Sequence, residues 1–367
     1  MRILLVTAYF RPHVGGVERF VEVLARGLGA RGHEVTVLAC RTSGEALPIE
    51  QAGGYRVCRV RATNVIERRL SVPYPLPDVV ALQRRLGSLT AATDVAHVQD
   101  ALYVTSQLAI RSAARARVPL ILTQHVEFVP QRNKGLDLLE RGAIRLAAPG
   151  VRRASRVVSY NPAVAEWARR TWGLPGVDVL PSGVVVPELQ RSRRELGLPE
   201  DKLVALFVGR DVPKKGLRHV LDSVDPAYEL VVVTDAAVAA QEGLQVRAFM
   251  APDDLMRLLR SVDALVMPSK GEGIPLIIQE AAVAGVPVVT TRNPGYDRYF
   301  GLEDVLFVEP TGASIRAALR MLRDDPELRA RLARRSAAVG ARHFGEEAFV
   351  SAYEQAYRDL VPGVGGG

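Results

Sequence analysis

The chain has 367 residues, 48 % hydrophobic and 24 % charged, an ordinary balance for a soluble globular protein with two buried cores. No apolar run reaches the roughly 18 residues of a membrane span, and the two cysteines, Cys40 and Cys58, lack metal-ligand spacing and read as reduced core residues. The net charge of +8 is uneven: residues 1–183 carry 25 Arg/Lys against 14 Asp/Glu, and the remainder 23 against 26.

A basic first half suits an anionic membrane surface or a phosphorylated acceptor, and arginines scattered over helix faces account for it equally well. No helix concentrates the basic residues beside stacking aromatics, so nucleic acid is not an expected partner. The opening MRILLVTAYF is too short for a signal peptide and reads as a first strand, Ile3–Thr7. The expected location is therefore cytoplasmic, with peripheral attachment to the inner face of the membrane as an option.

After that strand, Tyr9–Gly15 forms a loop, and Val17–Leu28 has helical apolar spacing stopped by Gly29. Strand, glycine loop and helix open a doubly wound α/β sheet. Gly15 and Gly16 let backbone amides approach a phosphate or sugar, although the loop is not G-x-G-x-x-G. Glu18 reads as a first-turn acid favoured by the helix dipole. Strands follow at Glu34–Cys40 and Tyr55–Val60, with His33, just before the first of these two, as a structural residue. Thr63–Asp78, rich in Pro and basic residues, reads as a long exposed segment. Val79–Leu89 is a helix, and Asp94–Val98 and Leu120–Thr123 are strands. His125 lies just past the second, at a carboxyl end where open α/β sheets place ligands. Residues 127–150 carry Arg132, Lys134, Arg141 and Arg145, an amphipathic face turned to solvent or to a membrane. Arg156–Ser159 and Val177–Leu180 complete the first sheet, and PSGVVVP (181–187) is a hinge.

The pattern restarts at Leu203–Val208, followed by the loop GRDVPKKG and a helix from about Leu217. Further strands fall at Glu229–Val233, Val246–Ala248, Ala264–Met267, Val286–Thr290 and Leu306–Val308, and the βα alternation gives a parallel sheet. Residues 313–343 read as helical and Phe349–Leu360 as a last helix, with a flexible GVGGG tail. Arg210 and Lys215 stand at a strand's carboxyl end as fixed cations for a diphosphate. In PSKGEGIPLIIQEAAVAGVPVV (268–289), Pro275 suits the first helical turn, and Gly285 before Pro287 ends the helix. Glu272 in the loop and Glu280 one turn into the helix converge on its start. There the amides of Gly273, Ile274, Leu276 and Ile277 and the helix dipole make an anion site. A phosphate flanked by hydroxylated groups fits it; a capped helix with two solvated acids fits the spacing as well.

PSKGEGIPLIIQEAAVAGVPVV resembles the E-x7-E signature of family 4 retaining glycosyltransferases. GGVER (Gly15–Arg19), LPSGV (Leu180–Val184) and GRDVPKKG (Gly209–Gly216) fall in that family's order, so the resemblance spans most of the chain. It implies the α/β GT-B fold, two doubly wound Rossmann-like parallel-sheet domains facing a central cleft. The expected boundaries are 1–183 for the acceptor side and 184–345 for the nucleotide sugar, with 346–367 returning to the first domain. The implied reaction is hexosyl transfer with retention, from a nucleoside-diphosphate sugar to a lipid-linked, glycan or small-molecule acceptor. The sugar nucleotide is a co-substrate, so no cofactor is expected; without an Asp-x-Asp pair, neither is a metal.

By the resemblance, Glu280 holds the ribose and Glu272 the sugar hydroxyls. Arg210 and Lys215 neutralise the leaving diphosphate, Gly15 and Gly16 border the donor phosphates, and Gly273 to Ile277, Pro275 included, line them. His125 matches a histidine near the donor sugar. His97 and Asp100 in HVQD are weaker candidates, since Gln99 replaces the second histidine of the family's His-x-His. TDAAVAA after Val233 and Tyr299 in TRNPGYDRYF depart from the family and bear on donor selection. A GT-B epimerase or hydrolase and a silent nucleotide-sugar-binding module are the alternatives.

Overall fold

A computed structural model describes residues 1–13, 15–42, 46–70, 74–127, 134–186, 192–239, 241–270, 274–293 and 296–361, without the side chains of 68–70, 134–137 and 139–140. The chain divides into two compact units, Met1–Gly183 with Phe349–Gly367, and Val184–Ala348.

The first unit begins with β1 (Arg2–Val6) and α1 (Gly16–Ala30), then β2 (Glu34–Arg41), β3 (Ile49–Ala52) and β4 (Tyr55–Thr63). It continues through α2 (Val65–Leu70), β5 (Leu76–Pro77), α3 (Val79–Thr90), β6 (Val95–Gln99), α4 (Val104–Ala116) and β7 (Leu120–Thr123). Its last elements before the crossing are α5 (Lys134–Val151), β8 (Arg156–Ser159), α6 (Pro162–Trp172) and β9 (Asp178–Val179). The sheet order is β3-β4-β2-β1-β6-β7-β8-β9, parallel except that β3 and β5 both run antiparallel to β4. Parallel strands bury both faces, which explains the unbroken apolar run Ile3–Val6.

Two expectations change here. α1 runs on through Gly29 to Ala30, because Gly29 serves packing: a Cβ there would lie 2.6 Å from the Gly54 carbonyl oxygen of the β3–β4 turn. Thr63–Asp78 is not one long loop, since α2 and β5 form within it and β5 pairs with β4 through Thr63↔Leu76. Arg132 lies outside the described residues. In α5, Ile144, Ala147 and Val151 face inward while Leu138, Arg141, Arg145 and Leu146 face outward.

The second unit holds β10 (Val204–Val208), a 3₁₀ turn (Pro213–Lys215), α7 (Leu217–Leu221), β11 (Glu229–Val233), β12 (Leu244–Arg247), α8 (Pro252–Ser261) and β13 (Ala264–Met267). Then come α9 (Leu276–Ala284), β14 (Val288–Thr290), β15 (Leu306–Phe307), α10 (Gly312–Asp324) and α11 (Pro326–His343). Its six strands are all parallel, in the order β12-β11-β10-β13-β14-β15. The helical stretch expected over 313–343 is present and is made of two helices. Pro326 cannot donate within a helix and Asp325 leaves the helical conformation at φ −121°, ψ 88°, so the chain breaks and the Asp325 carboxylate caps Leu328 N–H at 2.8 Å.

The chain then enters α12 (Glu346–Arg358), whose residues from Phe349 onward belong to the first unit. There Phe349, Tyr353 and Tyr357 are fully buried. His33 is structural: its ring pairs with the Met1 amino group at 3.2 Å and with Glu354 at 2.9 Å, and Arg31 also binds Glu354 at 2.6 Å.

Candidate functional site

In the second unit the strand order reverses between β10 and β13, so the loops leaving those two strands diverge and open a crevice at the sheet's carboxyl edge. The β10 loop carries Arg210, exposed just past the strand, and Lys215, half-buried at the end of the 3₁₀ turn. Gly216 follows at φ +75°, and a Cβ there would lie 2.6 Å from the Pro268 carbonyl oxygen; only glycine lets the two loops touch. Lys270 N–H then donates to the Lys214 carbonyl at 2.8 Å, fastening the basic loop to the segment that leads into α9.

That segment is held from its other side as well. Thr290 Oγ1 donates to the Met267 carbonyl at 2.8 Å, Asn293 Nδ2 to the Ser269 carbonyl at 2.9 Å, and Thr291 Oγ1 to the same carbonyl. Asp235 Oδ1, in TDAAVAA, accepts from Asp211 N–H at 2.9 Å, so this turn braces the basic loop. These clamps escaped sequence reading. Their only signal is a polar residue placed just past an apolar strand.

α9 spans Leu276–Ala284, as its apolar spacing predicts, and Pro275 stands just before the first helical turn rather than within it. Pro275 is the N-cap, with ψ 142°, and Leu276 is the first helical residue. Pro275 has no N–H, and among the described residues no side chain caps the helix, so Leu276 and Ile277 present its first amides. Gln279, buried, donates from Nε2 to the Ile274 carbonyl at 3.0 Å and fixes the approach to the helix. Glu280 is half-buried one turn in. Glu272 and Gly273 lie outside the described residues. Tyr299 packs against His343 and Phe344, with ring centroids 5.5 and 5.2 Å away. Arg210, Lys215, Ile274, Leu276, Ile277 and Glu280 thus lie on the loops and helix of one switch point.

The first unit has its own switch point, between β1 and β6. Gly15 is the N-cap of α1 and Gly16 its first residue. Past β6, Asp100 is left-handed at φ +51°, and its Oδ1 accepts from His125 N–H at 2.9 Å. His125 does not project from its loop. It is 5 % exposed, its Nε2 meets Gln99 Oε1 at 2.9 Å, and Phe20 stands edge-on at 4.8 Å. Burial lowers its pKa while the Asp100 and Glu18 carboxylates pull the other way; burial likewise raises that of Asp100.

His97 is a core residue, fully buried between Tyr357 Oη at 2.6 Å and Thr123 Oγ1 at 2.7 Å, and burial pushes its pKa down to about 3. A histidine depressed in the fold contributes its full stability above its unfolded pKa, near 6.5, and loses it as pH falls toward 3. Acidifying from pH 7 to 5 should therefore cost about 2 kcal/mol through this group. Urea unfolding at both pH values checks it: the loss should shrink in His97→Gln, and an unchanged slope would assign the acid sensitivity elsewhere.

Among the described residues, no group of three or more His, Cys, Asp or Glu side chains could together hold a metal ion. Nor is any helix of those residues long and apolar enough to cross a membrane.

Two doubly wound parallel-sheet units in one chain make up the GT-B glycosyltransferase architecture. The sequence matches Glycosyltransferase Family 4 over residues 14–186 and Glycosyl transferases group 1 over residues 189–339. The chain belongs to glycosyltransferase family 4. It is 27 % identical to the D-inositol 3-phosphate glycosyltransferase of Arthrobacter sp. (strain FB24), covering 95 % of this chain and 90 % of that one. With the phosphatidyl-myo-inositol mannosyltransferase of Mycobacterium leprae it shares 26 % identity over 89 % of this chain and 88 % of the other. The crystal structure of HepE from Anabaena in complex with UDP superposes with a TM-score of 0.68 at 17 % identity, covering 98 % of this chain and all of that one. The same protein in complex with UDP-glucose gives 0.63 at 16 % identity, with the same coverage.

Proposed function

We propose that this glycosyltransferase moves a hexose from a nucleoside-diphosphate sugar to an acceptor hydroxyl, with retention at the anomeric carbon and without a divalent metal. The observation that carries the reading is the β10/β13 switch point. Two cations, Arg210 and Lys215, stand on a loop whose backbone is bonded to the segment entering α9, and that helix presents uncapped amides beside Glu280. Fixed cations and helix amides suit a diphosphate that gains charge as it leaves.

The donor class draws support from HepE, a fold neighbour solved with UDP and with UDP-glucose. The relatives named for inositol phosphate and phosphatidyl-inositol favour a polyol hydroxyl as acceptor, free or lipid-linked. Arg210 and Lys215 neutralise the diphosphate, Glu280 accepts from the ribose hydroxyls, and Glu272 accepts from the sugar. No side chain stands out as a covalent nucleophile, so acceptor and leaving group share one face of the sugar.

The two acids separate the roles. Glu280→Ala should chiefly raise the donor KM and weaken nucleoside-diphosphate binding, the signature of an interaction kept from ground state to transition state. Glu272→Ala should chiefly lower kcat and leave nucleoside-diphosphate binding nearly intact, because the sugar gains positive character only as its bond breaks. Measured kcat, donor KM and UDP Kd for folded variants decide the matter. Reversed behaviour exchanges the two roles, and no change in either variant reduces the motif to a helix start with solvated acids.

A further inference from the structure

α3 and α4 pack on one face of the first sheet, where Leu82, Leu86, Ile110 and Ala113 meet Leu4 and Val98. Between the two helices runs a groove of about 330 Å³. Its floor is Leu86 and the hydroxyls of Thr90 and Ser112, whose oxygens are 3.0 Å apart. Its rim is Gln83 on α3 and, one turn from each other on α4, Arg111 and Arg115, all exposed. Gly87, in mid-helix, adds no side chain to fill it, and nothing lies within 4 Å of where its Cβ would be.

The groove is strongly positive. α3 and α4 carry Arg84, Arg85, Arg111 and Arg115 and no Asp or Glu. The acids nearest in sequence are engaged elsewhere: Asp78 caps α3 through Ala81 N–H at 3.0 Å, and Asp94 holds Arg2 at 2.5 Å. The carboxyl end of a helix carries about half a negative charge, which accounts for a last-turn cation such as Arg115. Two such ends are outweighed by four guanidiniums.

This is not the crevice of the first sheet. Thr90 and Ala116 end the helices that lead into β6 and β7, so the groove lies toward the amino edge of those strands. Asp100 and His125 stand past their carboxyl ends, at the opposite edge.

The lining selects a ligand chemistry. Guanidinium forks with no acid beside them on their own helices suit a phosphate, which they can grip through paired N–H donors. The floor asks for something else. Thr90 Oγ1 donates to the Leu86 carbonyl at 2.7 Å, so Ser112 is the donor in the Thr90–Ser112 contact and its own lone pairs remain to accept. A ligand hydroxyl meets that need, and the Gln83 amide can both donate and accept. The volume is at the lower end of small-molecule sites, which run from roughly 300 to 1,000 Å³.

We propose that the α3–α4 groove binds a small phosphorylated sugar or polyol, its phosphate on Arg111 and Arg115 and its hydroxyls over Ser112 and Gln83, at a site separate from the transfer chemistry. The bound molecule ties α3 to α4, so it raises the stability of the first unit by mass action.

The test reads binding and does not depend on turnover or on the transferase reading. Glucose 6-phosphate, titrated by calorimetry into the full-length chain at low salt, should bind saturably at one site and raise Tm; glucose and inorganic phosphate should each bind more weakly. The Kd should rise about tenfold or more in the double variant Arg111→Gln, Arg115→Gln. Gly87→Leu should have the same effect, because it fills the groove while leaving all four arginines in place. Both variants should keep the wild-type UDP Kd, and Gly87→Leu should melt at the same temperature or higher, since leucine is the better helix former. Binding that falls in the arginine variant and survives in Gly87→Leu overturns the groove and reduces the effect to surface charge. Binding unchanged in both variants belongs to another site and overturns the proposal, as does the absence of saturable binding. Equal Kd values for inorganic phosphate and glucose 6-phosphate overturn the sugar or polyol assignment. Capture on phosphatidylglycerol vesicles with no response to glucose 6-phosphate also overturns the proposal and makes the arginines a lipid contact.

Discussion

Lys215→Ala is expected to lower kcat by about 10²-fold or more, the scale of losing one preorganised electrostatic stabiliser from a developing charge. The residue ends a 3₁₀ turn whose neighbour Gly216 touches Pro268, so the backbone around it is fixed and truncation of the side chain leaves the loop in place. UDP binding should weaken too, because the diphosphate carries charge in the product as well as in the transition state. Arg restores charge with different geometry, a fork in place of a point, so Lys215→Arg should recover only part of the rate. The same assay run in EDTA should keep its activity. Turnover equal to wild type in Lys215→Ala, or complete loss in EDTA rescued by Mg²⁺, would show that the diphosphate is neutralised by something other than these cations.

Gly340→Ala should destabilise the second unit strongly. α11 crosses α9 there so closely that a Cβ on Gly340 would lie 2.4 Å from the backbone of Ala282 and 2.5 Å from the Val283 nitrogen. Backbone cannot yield as a side chain end does, so the helices must separate. Overpacking of this kind costs about 1–3 kcal/mol, and in a domain of this size that lowers Tm by roughly 2–4 °C for each kcal/mol. Glu280 is on α9, two residues from the crossing, so UDP Kd should rise with the same substitution. Gly142→Ala, in the interior of α5 with nothing within 4 Å of its Cβ position, should instead be neutral or slightly stabilising. Equal Tm values for the two variants would mean that the α9–α11 contact relaxes freely.

Much of this protein was determined by its sequence alone. Apolar runs of four or five residues closed by Gly or Pro place the strands, since a parallel strand buried on both faces admits no alternation; Leu120–Thr123 and Ala264–Met267 match residue for residue. The family is legible for a related reason: backbone approach to a phosphate demands glycine, proline and charge at fixed spacings, and such spacings survive as local motifs. The tertiary structure decided whatever depends on which strands become neighbours. Only the order β11-β10-β13-β14 brings Asp235, the basic loop and Asn293 around one segment, and no local pattern announces those clamps. Gly29 and Gly340 carry no visible difference from helix-breaking glycines in sequence, because their purpose is a close approach by chain distant in sequence. His125 passes for an exposed loop residue until Phe20 and Gln99 close over it. His13 and Glu18 are five residues apart, and the sequence marks Glu18 only as a first-turn acid. Folding the β1–α1 loop over Gly15 turns them into a pair, because the missing Cβ gives the carboxylate the space to reach the ring.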